Sequence, residues 1–341
     1  MTKILAIETS CDETAVAVVT KNKEILVNEV ISQVSEHKKY GGVVPEIASR
    51  AHLNYLDSLL DKVKNHHKIN FNDIDAIAVT AGPGLIGGVM VGVMYAKAIS
   101  ASLNKPIIAI NHLEGHALTV RLTDNVEYPF LLLLVSGGHT QFLIVKEVGE
   151  YIKLGTTLDD ALGEAFDKAA KMLGLGYPGG AIIEKKAKKG NPGAFNFPKP
   201  LCKVKNCNFS FSGLKTAVKR VIDNIGMDNL TENIICDIAA SFQKTIATVL
   251  KNKLLNAIEK FQQELSDAPR VFVLSGGVAA NIYLREELQN ICNNNGFKFY
   301  VPPVNLCSDN AAMIAWAAIE RYQKGMLNDL SFKPYSKQPY I

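Results

Sequence analysis

Apolar residues along this chain fall into short runs that end in clusters of hydroxyls, glycines and carboxylates. Ile4–Ile7 runs into the polar turn Glu8-Thr9-Ser10-Cys11-Asp12-Glu13-Thr14, and Ala15–Val19 returns as a second strand. Leu131–Val135 runs into Ser136-Gly137-Gly138-His139-Thr140, and Gln141–Val145 returns. Near the C-terminus Val271–Leu274 meets Ser275-Gly276-Gly277, after which the pattern turns helical from Val278. Period-two runs bounded by turn residues predict strands, so two hairpins and a strand–Gly-Gly–helix unit predict a duplicated α/β plan. Between the hairpins, Ala76–Thr80, a glycine turn, a helix from about Gly88 and the strand Ile107–Ile110 call for mixed sheets covered by helices. The 3.6-residue periodicity is strongest over Asn233–Gln263 and Ser308–Lys324, the latter with Ser308 as N-cap and Gly325 as its stop.

The segment from about Asp159 to Arg220 breaks this pattern. It opens with a helical stretch, Ala161–Leu173, passes the turn Gly176–Gly180 and becomes lysine-rich and proline-punctuated, as expected of an insertion on the second lobe. Between Glu184 and Arg220 there are nine lysines and one arginine against one glutamate, a local +9. The whole 341-residue chain is only +4, so the remainder is −5. A basic segment on an acidic body predicts a local surface for a polyanion. Phe195, Phe197 and Phe209 interleave with these lysines, a composition that suits base stacking with phosphate contact, or phenylalanines packed beneath a solvated basic face.

The chain is 48% hydrophobic, enough for two ordinary lobes. No signal peptide fits at the N-terminus, and no apolar run is expected to reach the roughly 20 residues that span a bilayer. The six cysteines are scattered, as expected of reduced thiols in the cytosol. Cys202 and Cys207 could be half of a zinc site, but no second pair follows.

His112-Leu113-Glu114-Gly115-His116 follows a strand and is predicted to open a helix, which puts the two histidines on one face at metal-ligand spacing. A zinc-protease reading fails because its base glutamate must follow the first histidine directly. Glu114 comes two residues on, turned roughly 200° around the helix. Two histidines want an oxygen ligand, and Asp309 at the start of the last long helix is a candidate; such a set with open positions suits iron(II) or zinc. Gly82-Pro83-Gly84-Leu85-Ile86-Gly87 matches the dinucleotide fingerprint, but the next strand ends in Asn111-His112 and not in the ribose-binding carboxylate. A glycine turn that lets a helix approach the sheet is the better reading. No P-loop string is present, so phosphate would be held by amides and hydroxyls of the two hairpin tips.

In order along the chain, the Glu8–Thr14 tip, Gly42–His52, the 82–87 turn, His112…His116, Ser136–Gln141, Gly163–Lys168, Tyr177–Gly180, Phe209–Thr216, Ser275–Asn281 and Ser308-Asp309-Asn310 resemble the TsaD family, the transferases of tRNA threonylcarbamoyladenosine synthesis once labelled sialoglycoprotein endopeptidases. His139 resembles the bacterial and organellar branch. The resemblance implies a bilobal actin/hexokinase/Hsp70-like fold with duplicated mixed-sheet lobes and an active site in its cleft. The first lobe would be 1–110 plus 307–341, and the second 111–306 with the basic helical insertion at about 159–220. Carried over by position, His112, His116 and Asp309 would hold one divalent metal, iron(II) or zinc. Val135, Ser136, Gly137, Gly138, His139, Asp167, Gly180 and Asn281 would bind threonylcarbamoyl-AMP, with ATP, ADP or AMP as related ligands. Asp12 and Glu13 would influence turnover, Asp12 being the candidate base. The expected partners are tRNA, with Lys185, Lys186, Lys188 and Lys189 as candidate contacts, an inactive TsaB-like homologue and a TsaE-like P-loop ATPase, with no membrane. Competing readings are a small-molecule kinase of the same fold, whose magnesium aspartates are here Glu8 and Ser136, and a non-catalytic scaffold.

Overall fold

The computed structural model describes residues 1–337; 338–341, the end of the stretch expected in the first lobe, lie outside the described residues. The chain forms two compact units. One comprises Met1–Glu127, Glu147–Glu150 and Pro302–Ile341, and the other Tyr128–Lys146 and Tyr151–Val301.

In the first unit, β1 (Lys3–Glu8), β2 (Glu13–Thr20) and β3 (Ile25–Ser32) form an antiparallel meander, followed by α1 (Val34–His37) and α2 (Pro45–Asp61). β4 (Ala76–Gly82), α3 (Ile86–Leu103), β5 (Ile107–Asn111) and α4 (His112–Thr123) come next. β4 and β5 add in parallel beside β1, giving the order β3-β2-β1-β4-β5. Ile4–Ile7 and Ala76–Val79 are fully buried because helices cover both faces of this sheet, which is why these strands read as unbroken apolar runs.

The second unit repeats the plan. It holds β6 (Phe130–Val135), β7 (Thr140–Glu147), β8 (Glu150–Thr156), α5 (Leu162–Met172), α6 (Gly179–Ala187), α7 (Ser212–Ile225), α8 (Glu232–Glu264), β9 (Val271–Ser275), α9 (Ile282–Asn294) and β10 (Lys298–Tyr300). The sheet order is β10-β9-β6-β7-β8, with β7 antiparallel and β9 parallel to β6, strand for strand the arrangement of the first.

The last helix, α10 (Ala311–Gln323), returns to the first unit and is buried from Ala311 to Glu320 against α4, β1 and β2. Because α4 packs along it, residues 111–127 stand with the first unit and not, as expected, at the start of the second lobe. The cap also differs from expectation. Asn310, not Ser308, starts α10, its side chain accepting from the Met313 amide at 3.0 Å. Asp309 therefore precedes the helix. Gly325 ends it with φ +70°.

One further expectation is corrected, and one alternative is decided. Ile86–Leu103 is long and apolar enough, by length and composition, to cross a membrane, although no such run was expected; Lys97 and its glycines disguise it. One face of this helix, with Gly88, Val89, Gly92, Val93 and Ala96, is buried in the first unit, where α3 packs on β4 and α2. The phenylalanines near the lysines are mostly core. Phe209 stacks between Phe142 and Phe211, and Phe197 meets Phe242 edge-on. An interleaved aromatic–lysine pattern is what a helix or loop with one buried side produces.

Candidate functional site

Asn111 ends β5 and caps α4, its side chain accepting from the Leu113 amide at 2.8 Å. α4 therefore begins at His112 itself, and one turn later His116 lies on the same face. The two rings stand edge to face at 85° with centroids 4.8 Å apart. Asp309, held just outside α10 by the Asn310 cap, brings its Oδ1 to 3.0 Å from His116 Nε2 and 3.5 Å from His112 Nε2. One donor atom from each of the three residues lies within 4.8 Å of the others.

Beneath this cluster lies a residue that the sequence reading placed only as a substitute for a kinase aspartate. Glu8, fully buried at the end of β1, accepts from the Ser10 amide at 2.6 Å and from the Thr80 hydroxyl, and stands 3.2 Å from His112 Nδ1. Ser10 Oγ is 3.1 Å from the same nitrogen. A proton on Nδ1 donated to this carboxylate orients the ring and leaves Nε2 facing Asp309, the arrangement that a metal-ligating histidine requires. Burial opposes charge on His112, but Asp309 and Glu8 outweigh it and raise the imidazole to about 9. Burial likewise opposes charge on Glu8, yet His112 and the Thr80 hydrogen bond hold it below the usual carboxylate range. Two carboxylates facing two histidines demand positive charge, and a divalent cation meets that demand. The donor set, two nitrogens and one oxygen, fits zinc or iron(II).

Glu114 is turned away as its spacing predicted. It pairs with Arg321, whose Nη2 is 3.2 Å from Oε2, and also accepts from the Gly149 amide at 3.2 Å. It is no metal-water base.

Asp12 and Glu13 occupy the tip between β1 and β2. Asp12 is buried; burial and the Asp309 and Asp12 carboxylates push Glu13 well above the usual range. The tip is fixed by a residue of the Gly42–His52 string to which the sequence reading gave no role. His52 Nε2 donates to the Cys11 carbonyl at 3.1 Å, so its Nδ1 is an acceptor, 2.8 Å from Thr14 Oγ1 and 3.2 Å from Gln33 Nε2. Burial lowers the His52 pKa, consistent with this neutral tautomer. The 82–87 glycine turn closes on the same tip: a Cβ on Gly84 would stand 2.6 Å from the Ser10 carbonyl, and the Leu85 amide donates to that carbonyl at 2.7 Å. The glycines serve helix approach here, as expected.

In the second unit, the Ser136–His139 tip is closed by the Ser136 amide on the His139 carbonyl at 2.8 Å. Gly137 and Gly138 are exposed, and a Cβ on either would meet nothing within 4 Å, so their backbone is open to a ligand. Val135 is buried under Gly276, whose φ of +94° and contact with the Val135 carbonyl exclude a side chain. Asp167 accepts from the Gly179 amide at 2.7 Å and so positions Gly180 at the start of α6. Asn281 caps α9 through the Leu284 amide at 2.9 Å and donates to Gln243 Oε1 at 2.9 Å. Lys185, Lys188 and Lys189 are exposed, whereas Lys186 pairs with Glu232.

The family model described as tRNA N6-adenosine threonylcarbamoyltransferase (TsaD) matches residues 24–316. The chain belongs to this family. A relative of that name in Rickettsia bellii is 54% identical over 337 residues, 99% of this chain and 98% of its own. Among solved structures, HypF of T. kodakarensis aligns with a TM-score of 0.61 at 14% identity, over 96% of this chain and 49% of its own. The activator of the 2-hydroxyisocaproyl-CoA dehydratase from Clostridium difficile aligns at 0.51 and 15% identity, over 97% and 99%. These two likenesses concern fold alone. With the repeated strand order they make this the actin/hexokinase/Hsp70-like fold that the family resemblance implied.

Proposed function

We propose that this chain is the cytoplasmic enzyme that transfers threonylcarbamoyl from threonylcarbamoyl-AMP to the exocyclic amine of the adenosine beside the anticodon, in tRNAs reading codons that begin with A, releasing AMP. The observation that carries the reading is the convergence of His112, His116 and Asp309, with Asp12 and Glu13 on the adjoining tip, in a member of this family. His112, His116 and Asp309 would hold one zinc or iron(II), which when bound supplies Lewis acidity toward the donor's carbonyl and phosphate oxygens. Glu8 and Ser10 keep His112 in the tautomer that serves as a ligand.

In the second unit the open backbone of Gly137 and Gly138 and the Ser136 hydroxyl would bind the donor phosphate. Val135, His139, Asp167, Gly180 and Asn281 would shape the rest of the donor site. In the transfer step the adenosine amine forms the new C–N bond to the carbamoyl carbon. The anhydride C–O bond breaks, its electron pair leaves with the AMP phosphate, and the amine proton passes to Asp12. Glu13, held toward its protonated form, keeps a second negative charge off the tip.

Lys185, Lys186, Lys188 and Lys189 are assigned to tRNA, although the Glu232 pairing of Lys186 leaves the other three as the stronger contacts. An inactive homologue as heterodimer partner is supported by the exposed stripe Ile86, Met90 and Met94 on α3 with Leu53 of α2 beside it; a P-loop ATPase completes the expected set.

The test supplies the chain and these partners with unmodified tRNA and threonylcarbamoyl-AMP, then weighs the digested nucleosides by mass spectrometry. Threonylcarbamoyladenosine that disappears with Asp309→Ala is expected. None formed by a partner set shown to be competent with a related enzyme would overturn the reading.

A further inference from the structure

His52 interrupts the buried apolar face of α2, among Ala48, Ala51, Leu56 and Leu59. A Cβ on Gly88 of α3 would stand 3.0 Å from its Nε2, so α3 gives up a side chain to admit the ring. Three more polar side chains are fully buried with it: Thr14 of β2, Gln33, which precedes α1, and His37, which ends α1.

The hydrogen bonds among these groups run in one direction. The Val44 amide can only donate, and it meets His37 Nδ1 at 3.3 Å. His37 therefore carries its proton on Nε2, 3.3 Å from Gln33 Oε1. That orients the Gln33 amide, whose Nε2 lies 3.2 Å from both Thr14 Oγ1 and His52 Nδ1. The Thr14 hydroxyl, 2.8 Å from the same His52 nitrogen, donates to it. The His52 proton is then on Nε2 and goes to the Cys11 carbonyl, which can only accept. Two ends of fixed polarity leave each ring a single neutral tautomer.

Both peptide planes that flank Asp12 end on this chain of bonds. The Cys11 carbonyl belongs to the plane before Asp12 and accepts from His52 at 3.1 Å. The Asp12 carbonyl belongs to the plane after it and accepts from the Gln33 backbone amide at 2.9 Å. Two fixed planes set φ and ψ of the residue between them, and with them the direction in which its side chain leaves the backbone. Packing alone does not call for four buried polar side chains. Every member of such a network must be satisfied, whereas apolar side chains of similar volume fill the space with less at stake.

We propose that Thr14, Gln33, His37 and His52 are positioning residues of the transfer step, which aim Asp12 at the adenosine amine by fixing the peptide planes on either side of it. The proposal rests on the transfer reading above, with Asp12 as proton acceptor. A misaimed base slows the chemical step without changing what binds, so the effect falls on kcat.

The direction of the bonds is tested first, on the full chain without substrate. Histidine 15N spectra, assigned with His37→Asn and His52→Asn, are expected to show both rings as neutral Nε2–H tautomers at neutral pH. A proton on Nδ1 of His52 overturns the proposal. Transfer is then measured with the partners present. Thr14→Val keeps the shape but removes the hydroxyl, and is expected to lower kcat about tenfold with the KM for tRNA and for threonylcarbamoyl-AMP unchanged. Thr14→Ser restores the hydroxyl in a residue less suited to a strand, so it should melt below Thr14→Val yet recover kcat to within about twofold of wild type. Activity that instead follows melting temperature, with Thr14→Val the faster enzyme, reduces the network to packing and overturns the proposal. Gln33→Glu keeps the shape and the backbone amide but offers no side-chain hydrogen to Thr14 or His52; wild-type kcat in this variant, folded by circular dichroism, overturns it equally. If the unaltered chain does not transfer, the functional reading fails and takes the positioning role with it, an outcome distinct from losses confined to the variants.

Discussion

The two hairpin tips stand at equivalent places in two copies of one strand order, yet they are made of opposite materials. The β1–β2 tip carries Asp12 and Glu13 above a buried Glu8, and its backbone is tied down by His52 and pressed by the 82–87 turn. The β6–β7 tip carries no carboxylate; its Gly137 and Gly138 are exposed and a Cβ on either meets nothing, although Gly163 of α5 packs against the backbone of Ser136 and Gly137 from one side. An acidic, braced tip beside two histidines attracts a cation, while an open glycine tip offers amides to an anion. Duplication has thus supplied one frame twice, and on the proposed function the side chains at the turns would divide the chemistry between cation and phosphate.

The comparison breaks most decisively on the first side. His112→Ala/His116→Ala is expected to abolish stoichiometric zinc or iron, measured by elemental analysis, and to lower transfer about a thousandfold or more. Circular dichroism should stay unchanged. A double variant that is fully active without metal would remove the cation from the first tip's role.

Glu8→Gln tests whether the buried carboxylate serves the cluster or merely fills space. The amide keeps the shape but loses the charge that orients and supports His112. Metal affinity should fall roughly 10- to 100-fold, read by competition with a chelator. Unchanged affinity would make Glu8 a structural neighbour only.

The second tip is sharpened by a pair of glycines. Gly276→Ala forces a methyl against the Val135 carbonyl at a left-handed φ and should cost about 2 kcal/mol or more in denaturant unfolding. Gly138→Ala meets nothing and should leave stability within about 0.5 kcal/mol, while raising the KM for threonylcarbamoyl-AMP several-fold as the methyl shades the amides. Equal stability in both, or an unchanged KM in the second, would contradict the division between a packing glycine and a ligand-facing one.

Much of this frame was legible because its signals are local. Hairpin tips, the four-residue histidine spacing and the strand–Gly-Gly–helix unit each lie within a few residues. Asp309 is 193 residues from His116; the sequence offers it as a candidate oxygen ligand, but spacing cannot show that α10 returns to α4 and brings it to the histidines. Serine and asparagine cap about equally well, so the sequence offers Ser308 as readily as Asn310, and the choice of Asn310 is made by packing. The support from Glu8 was hidden because a glutamate at a strand end carries no sign of burial. His52 was hidden likewise inside an ordinary amphipathic helix.

The smallest expected effect concerns the second unit's lysine stretch at α6. Lys185, Lys188 and Lys189 are exposed on and just after α6, while Lys186 is held by Glu232. Each phosphate contact is worth roughly threefold in affinity between low and moderate salt, so a stretch that touches the backbone once or twice moves the Kd only modestly. Lys185→Glu/Lys188→Glu/Lys189→Glu is therefore expected to raise the Kd for tRNA several-fold and to flatten its salt slope, when titrated across a salt series. An unchanged Kd and slope would return this stretch to a solvated face. The expected loss would instead carry the anion-facing character of the second unit beyond its glycine tip.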